Sequence, residues 1–429
     1  MIRNLPLHPD RDRLAGELHA RPPLPLATPA SISRLALLAE PGGSRGAPIA
    51  HIAALCRRHG VTPPAEGADF VLLDFGEFRL RYERHTEFDG WTFLREGAAP
   101  GGTDSADPFG QPAIAAVPSD WLATMPGRTL VACHLAVVAV PEDAGPPPGC
   151  FVADALAGAA LSGGAATAWT DFRVHADGFT RLLLQDHGMA PALTGRLAQA
   201  LWEIETYRLL ALLALPPARA AAPELARASE RLAALGARLS ALQDLPAERA
   251  ALEELTELAT GIERLGAATA DRFSAARAYH DLVGRRLASL RETRLTGLPT
   301  LAEYLERRLD PALATVEATG ARIGTLSERC ARAVDLLRAR VAVAQEAQTQ
   351  NLLKVMAETG RAQLRLQETV EGLSVAGISY YLLSLLGYAI KPLPWGAAGL
   401  QAEVVLAALV PVIAGLVWVQ MRRRRRRQA

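Results

Sequence analysis

The pattern of apolar and polar positions divides the chain into three regimes. Up to about residue 190, apolar residues alternate or come in short runs bounded by glycine and proline, as in strands. From Pro191 they recur every three and four residues, the period of helices. From Gly372 charge disappears. Leu373–Ile390 and Val404–Met421 are uncharged runs of about 18 residues, close to the shortest helix that crosses a hydrocarbon core of about 30 Å. Lys391-Pro392-Leu393-Pro394-Trp395-Gly396 separates them. Arg422, Arg423, Arg424, Arg425, Arg426 and Arg427 follow the second.

In the first regime Ile32–Leu38 is predicted as a strand and His51–His59 as a helix stopped by Gly60. Thr129–Val140, Phe151–Ala160, Ala166–His175 and Gly178–Gln185 are further predicted strands, the last two joined by Ala176-Asp177-Gly178. Pro118-Ser119-Asp120-Trp121 starts a helix with Ser119 as its cap. Asp10–Ala20 fits a short helix that brings Glu17, His19 and Arg21 close. Phe78, Leu80, Tyr82, Arg84, Thr86 and Phe88 alternate with Glu77, Arg79, Arg81, Glu83, His85 and Glu87 as the two faces of one strand. Asp89-Gly90 is then the hairpin turn into Trp91–Leu94. Glu83, His85 and Glu87 share a face and have the donors for a divalent metal. Arg79 and Arg81 on that face suit a solvated charged surface instead. Arg84 falls on the apolar side and demands a carboxylate or carbonyl partner.

In the second regime Leu193–Leu215 is predicted as one helix ended by Pro216-Pro217, with Glu205 and Arg208 one turn apart. Helices rich in Ala, Leu, Glu and Arg follow, interrupted near Leu245-Pro246 and Gly297. From Leu301 a very long helix, bent before Pro311, runs into the apolar segment. Residues 312–388 alone would extend roughly 115 Å at about 1.5 Å per residue. Val334, Leu337, Val341, Ala344 and Gln348 make a heptad seam. It shifts onto Leu352, Val355, Thr359, Ala362, Leu366, Thr369 and Leu373, as at a stutter.

Charge changes the picture at one end only. The formal net charge is +1, yet without the six terminal arginines 40 basic residues face 45 acidic ones. A nucleic-acid-binding body, which shows a basic face, is not expected. The terminal arginines suit contact with anionic lipid and mark a cytoplasmic C-terminus. Two crossings return the chain to the side it left, so the N-terminal part is expected in the cytoplasm too. Cys56, Cys133, Cys150 and Cys330 are scattered, form no CxxC, and fit a reducing compartment. No nucleotide-binding, nucleophile-elbow or zinc-protease motif occurs. Within the first apolar run Ser374, Gly377, Tyr381, Ser384 and Tyr388 form one small-and-polar stripe. Such a stripe either packs membrane helices together or, turned inward in an oligomer, lines a path for ions.

Two resemblances add to this. The segments HPDRDRLAGELHARP, YERHTEFDGWTF, TDFRVHADGFTRLLL, GRLAQALWEIETYRLLALLALPPAR and LQETVEGLSVAGISYYLLSLLGY resemble a bacterial family of uncharacterised membrane-anchored proteins, a domain of unknown function, over essentially the whole chain. The layout from about residue 300 is similar to CorA-type metal-ion channels, which are pentamers whose first membrane helix lines the pore. Those end that helix in Gly-Met-Asn, or at least Gly-x-Asn. Here Leu386-Gly387-Tyr388-Ala389-Ile390-Lys391 stands in that place: Gly387 matches, the asparagine does not, and Lys391 at the mouth repels cations.

The expected fold is an α+β cytoplasmic domain followed by a long helical coiled-coil stalk and a two-helix transmembrane hairpin. The expected divisions are an α/β domain at 1–190, a helical bundle at 191–300, a stalk helix at 301–371, membrane helices at 372–391 and 404–421, and a basic tail at 422–429. The expected location is the bacterial inner membrane with both termini cytoplasmic. The polar stripe and long helix favour a CorA-like oligomeric ion channel or transporter. The missing Gly-x-Asn favours a non-transporting membrane-anchored scaffold or sensor with a cytoplasmic interaction domain. Membrane lipid and further copies of the chain, five if CorA-like, are the expected partners. No catalytic residue is expected, and no cofactor other than a divalent metal at Glu83, His85 and Glu87.

Overall fold

The computed structural model describes residues 8–11, 23–40, 42–97, 107–141, 144–147, 149–239, 244–390 and 402–428. The chain divides into two compact units, Met1–Arg238 with Glu254–Ala333, and Leu239–Glu253 with Val334–Ala429.

The first unit is built on one mixed sheet. Its strands are β1 (Ala30–Leu38), β2 (Phe70–Asp74), β3 (Arg79–Arg84), β4 (Phe88–Glu96), β5 (Arg128–Ala139), β6 (Ala157–Leu161), β7 (Ala166–Val174), β8 (Thr180–Asp186) and β9 (Thr293–Arg294). Their order is β2-β3-β4-β1-β5-β8-β7-β6-β9. The registered pairs are antiparallel except β5 with β8. β1 lies between β4 and β5, and Ala30 to Leu37 are all buried, so both of its faces are covered.

One face is apolar. Leu35, Leu37, Leu80, Tyr82, Trp91 and Phe93 pack under α1 (Ala47–His59) and the short α2 (Ser119–Leu122). Tyr82 and Trp91 are directly opposite in register, their rings 4.9 Å apart. Trp121 donates its ring N–H to the His51 carbonyl at 3.0 Å, so its burial leaves that polar group satisfied. Gly60 ends α1 in the left-handed conformation, φ 70°, the usual glycine stop. The other face is covered by α3 (Pro191–Leu212), whose Leu197, Ala198, Leu201 and Leu210 are buried.

Several expectations are corrected here. Asp89-Gly90 is not a turn. The chain reverses at His85–Glu87, and Asp89 and Gly90 lie within β4, opposite Arg84 and Glu83. The glycine is needed in the strand because a Cβ there would lie 2.7 Å from the Arg34 guanidinium carbon. Ser119 is the first residue of α2 and caps nothing; Pro118 holds the cap position. Of the predicted Phe151–Ala160 strand only Ala157–Ala160 pairs, and the strand runs on to Leu161. Pro216-Pro217 do not end a helix; they open α4 (Leu215–Leu239), where a missing N–H costs nothing.

α5 (Leu245–Leu290) follows, then α6 (Leu301–Glu306) with a Thr300–Glu303 capping box, then α7 (Asp310–Ile390). The expected bend before Pro311 is a full break between α6 and α7. In the first unit Phe273 of α5 packs over Gly320, and Ile323 over Gly266.

The second unit holds the rest of α5 and α7, with α8 (Ala402–Gln428). Of the heptad seam, Val334, Leu337 and Val341 are buried within the chain. Arg340 beside them donates to the Leu239 carbonyl at 2.8 Å and pairs with Glu248 at 2.9 Å. From Leu352 the shifted seam is exposed, up to Leu373 at 77 %. Two stretches are long and apolar enough to cross a membrane, one within Pro191–Leu239 and one within Asp310–Ala389. The first is 33 % buried. The second is 6 % buried. The expected second span at 404–421 is a shorter apolar run, Ala407–Gln420, among the described residues. Glu17, His19, Arg21 and Lys391 lie outside the described residues.

Candidate functional site: a buried row of charged side chains

Strand register sets a polar row across the sheet. Arg81 faces Thr92, Thr92 faces Arg34, Arg34 faces Cys133 and Cys133 faces Thr180, each directly opposite the next. Neighbours in register share a face, so the row lies on the side opposite the Tyr82–Trp91 layer. Glu83, one step along β3 on the same face, joins it. Arg34 donates through Nη1 to Glu83 Oε2 at 3.0 Å and to Thr92 Oγ1 at 2.7 Å. Arg81 donates through Nη2 to Glu83 Oε1 at 2.6 Å. The three side chains are 3 %, 2 % and 6 % exposed for Arg34, Arg81 and Glu83. Burial alone would raise the Glu83 carboxyl, but the Arg34 and Arg81 guanidiniums outweigh it and hold it down at about 2. One carboxylate against two guanidiniums leaves the cluster with a surplus positive charge.

α3 supplies a second pair at the end of the row. Arg208 donates to both oxygens of Glu205 at 2.6 Å, the pairing expected from their spacing. Glu205 Oε1 also accepts from Thr180 Oγ1 at 2.9 Å, and Arg208 reaches the Phe172 carbonyl at 3.2 Å. The pair therefore ties the helix to β8 and to the end of β7. Cys133, between the two groups, is fully buried. Burial first, and the Glu205 carboxylate second, push its thiol far up. It is no nucleophile at neutral pH, since the thiolate is the reactive form.

The metal expectation fails on this geometry. Glu83 is taken by two arginines. His85 and Glu87 sit in the turn, beyond the last paired residue of β3. His85 stacks on Phe88 with ring centres 4.2 Å apart, and Glu87 pairs with Arg272 of α5 at 2.9 Å. Among the described residues no group of three His, Cys, Asp or Glu side chains is placed to hold a metal. The solvated-surface alternative fails as well, because Arg81 and Glu83 are buried.

Arg84 does find its expected partners. Its Nη2 donates to the Arg45 carbonyl at 2.7 Å, and Nη1 approaches Asp69 at 3.3 Å. It lines an open cleft of about 850 Å³ with the turn residues His85 to Glu87 and the start of β4, Phe88 and Asp89. On the apolar side, Ser33 Oγ and His134 Nδ1 lie 2.9 Å apart, and His134 stacks on Phe179 at 3.9 Å. Ser33 Oγ also accepts from the Ile114 N–H at 3.1 Å. Burial pushes the His134 imidazole down to about 4. Ser33 is wholly buried, so the pair has no access to substrate.

The stripe residues lie on α7. Tyr381 and Tyr388 are exposed at 70 % and 78 %, Gly377 is exposed, and Ser374, Ser384 and Gly387 are half-buried. The buried residue of this stretch is Ser379, off the stripe. Of the six terminal arginines Arg423 is exposed, and the side chains of the other five lie outside the description.

The row itself was missed from sequence. One signal was available: Arg34 is a lone charge in the apolar strand Ala30–Leu38, and a charge there needs a buried counter-charge.

No curated protein and no solved structure matches the chain, and the likeness to CorA-type channels rests on layout alone. One family model, described as a protein of unknown function (DUF3422), matches residues 6–428, and the chain belongs to that family.

Proposed function

We propose that this is an oligomeric integral membrane protein, anchored by the apolar end of α7 and by α8, with the sheet domain as its sensor or docking module. One observation carries the reading. Among the described residues, all but five of the exposed large apolar side chains lie between Leu352 and Val419. Leaving such surface in water costs about 25 cal/mol per Å². Two coverings suit the two parts of the stretch. Where charges alternate with apolar residues, up to Glu371, a second copy fits the shifted seam. Where charge is absent, in Leu373–Ile390 and Val404–Met421, lipid fits. The arginines after the second apolar run favour a cytoplasmic C-terminus.

A second reading makes the oligomer an ion path lined by Ser374, Gly377, Tyr381, Ser384 and Tyr388. It is favoured by Tyr381 and Tyr388 pointing away from their own chain. No reaction is assigned to the buried row, which serves to lock α3 onto the sheet.

The test is an alkaline wash of membranes from expressing bacteria, followed by mass measurement of the detergent-extracted particle. Retention in the pellet and a mass of several chains are expected. Release as a monomer would sink the proposal. Ion flux in reconstituted vesicles then separates the two readings.

A further inference from the structure

An open cleft of about 680 Å³ lies in the sheet domain between the early turns of α3 and the end of α5. That volume falls within the roughly 300–1,000 Å³ of small-molecule sites. Arg196, Arg286 and Arg291 line it against one carboxylate, Glu203. Glu203 is already engaged, accepting from Gln199 Nε2 at 2.8 Å and pairing with Arg286. Among the described residues Arg196 and Arg291 make no ion pair. Three guanidiniums less one carboxylate leave a surplus of two positive charges. A phosphate monoester carries about −1.5 to −2 at neutral pH, the matching amount.

One detail points beyond a solvated basic surface. Arg291 follows α5 directly with φ 52°, the left-handed region where glycine is the unstrained choice. A cation there complements the helix dipole, but the last turn of α5, where it would carry no such penalty, holds no basic residue. The position thus keeps an arginine against a steric cost.

We propose that this cleft binds a small phosphorylated molecule. Arg196, Arg286 and Arg291 hold its phosphate through charge-assisted hydrogen bonds. Leu193 and Leu197 line the apolar side. A soluble monoester and a phospholipid headgroup present the same chemistry.

The test is calorimetric titration of the full chain in detergent with two probes, glycerol 3-phosphate and short-chain phosphatidic acid. The variants are Arg196→Ala, on an exposed helix face, and Arg291→Gly, which accepts the left-handed backbone. Both are expected to keep the melting temperature, Arg291→Gly keeping or raising it. Binding of either probe is expected to weaken about tenfold or more in each variant, and with added salt. Binding of the soluble probe assigns a soluble ligand. Binding of the lipid probe alone, weakened by the same variants, assigns a headgroup. The proposal is overturned if neither probe binds at millimolar concentration, or if both variants bind as the native chain does.

Discussion

The sheet domain and the C-terminal helices invert each other. In the first, Arg34, Arg81 and Glu83 are sealed from water and satisfy one another. In the second, leucines, valines and tyrosines stand in the open from Leu352 to Val419. Both arrangements obey one rule: charge needs a counter-charge or water, and apolar surface needs anything but water. In the sheet domain the chain supplies both needs itself. In the helices it supplies only half an environment, and on the proposed reading lipid and a second copy supply the rest. A buried ion pair is weak proof of stability, but it is good proof that a layer is complete.

The largest effect is expected where that completeness is broken. Glu83→Gln keeps the shape and leaves two buried guanidiniums uncompensated, which should cost about 3–5 kcal/mol in denaturant unfolding. An unchanged midpoint would mean that water already reaches Arg34 and Arg81, and the contrast between the regions would collapse. Leu382→Arg tests the other side. Lipid around α7 would make the arginine cost about 2.5–3.5 kcal/mol of insertion, read as protein lost from the alkaline-washed membrane pellet. A variant retained as well as the native chain would argue against lipid at that position.

Acid separates two buried groups of the sheet domain. The His134 imidazole is depressed in the folded state from 6.5 to about 4. Its contribution is therefore complete above about pH 6.5 and lost as pH falls to about 4, up to about 3 kcal/mol. Asp177 and Arg181 act on it with opposite signs. The Glu83 carboxyl is depressed from 4.5 to about 2, so its contribution is lost only within that lower window. His134→Gln should flatten the stability–pH curve between 6.5 and 4 and leave the lower limb intact. A smaller effect, about 1–3 kcal/mol, is expected from Gly90→Ala, because the new methyl presses on the Arg34 guanidinium that Glu83 and Thr92 hold in place. A melt identical to that of the native chain would show that Arg34 is free to move.

The candidate site was legible only in parts. The Glu205–Arg208 pair and the partnered Arg84 followed from local rules, a helical spacing and a charge on an apolar face. The metal trio at Glu83, His85 and Glu87 did not survive, because alternation was read through a turn. Asp-Gly is a strong turn signal, yet here Gly90 answers to Arg34, a residue 56 positions earlier. The seam at Val334, Leu337 and Val341 was legible as apolar, but not as a seam the chain covers itself.

By itself the sequence determined the type of most elements and a few of their ends. Periodicity and glycine stops act within a few residues of where they stand, as at Gly60. The tertiary structure alone decided which faces are dry. The string Arg79 to Glu83 is the same whether it meets solvent or a helix. Its burial is set by what packs on that face of the sheet, where α3 arrives more than a hundred residues later. Burial is a property of two surfaces, and a sequence displays one at a time.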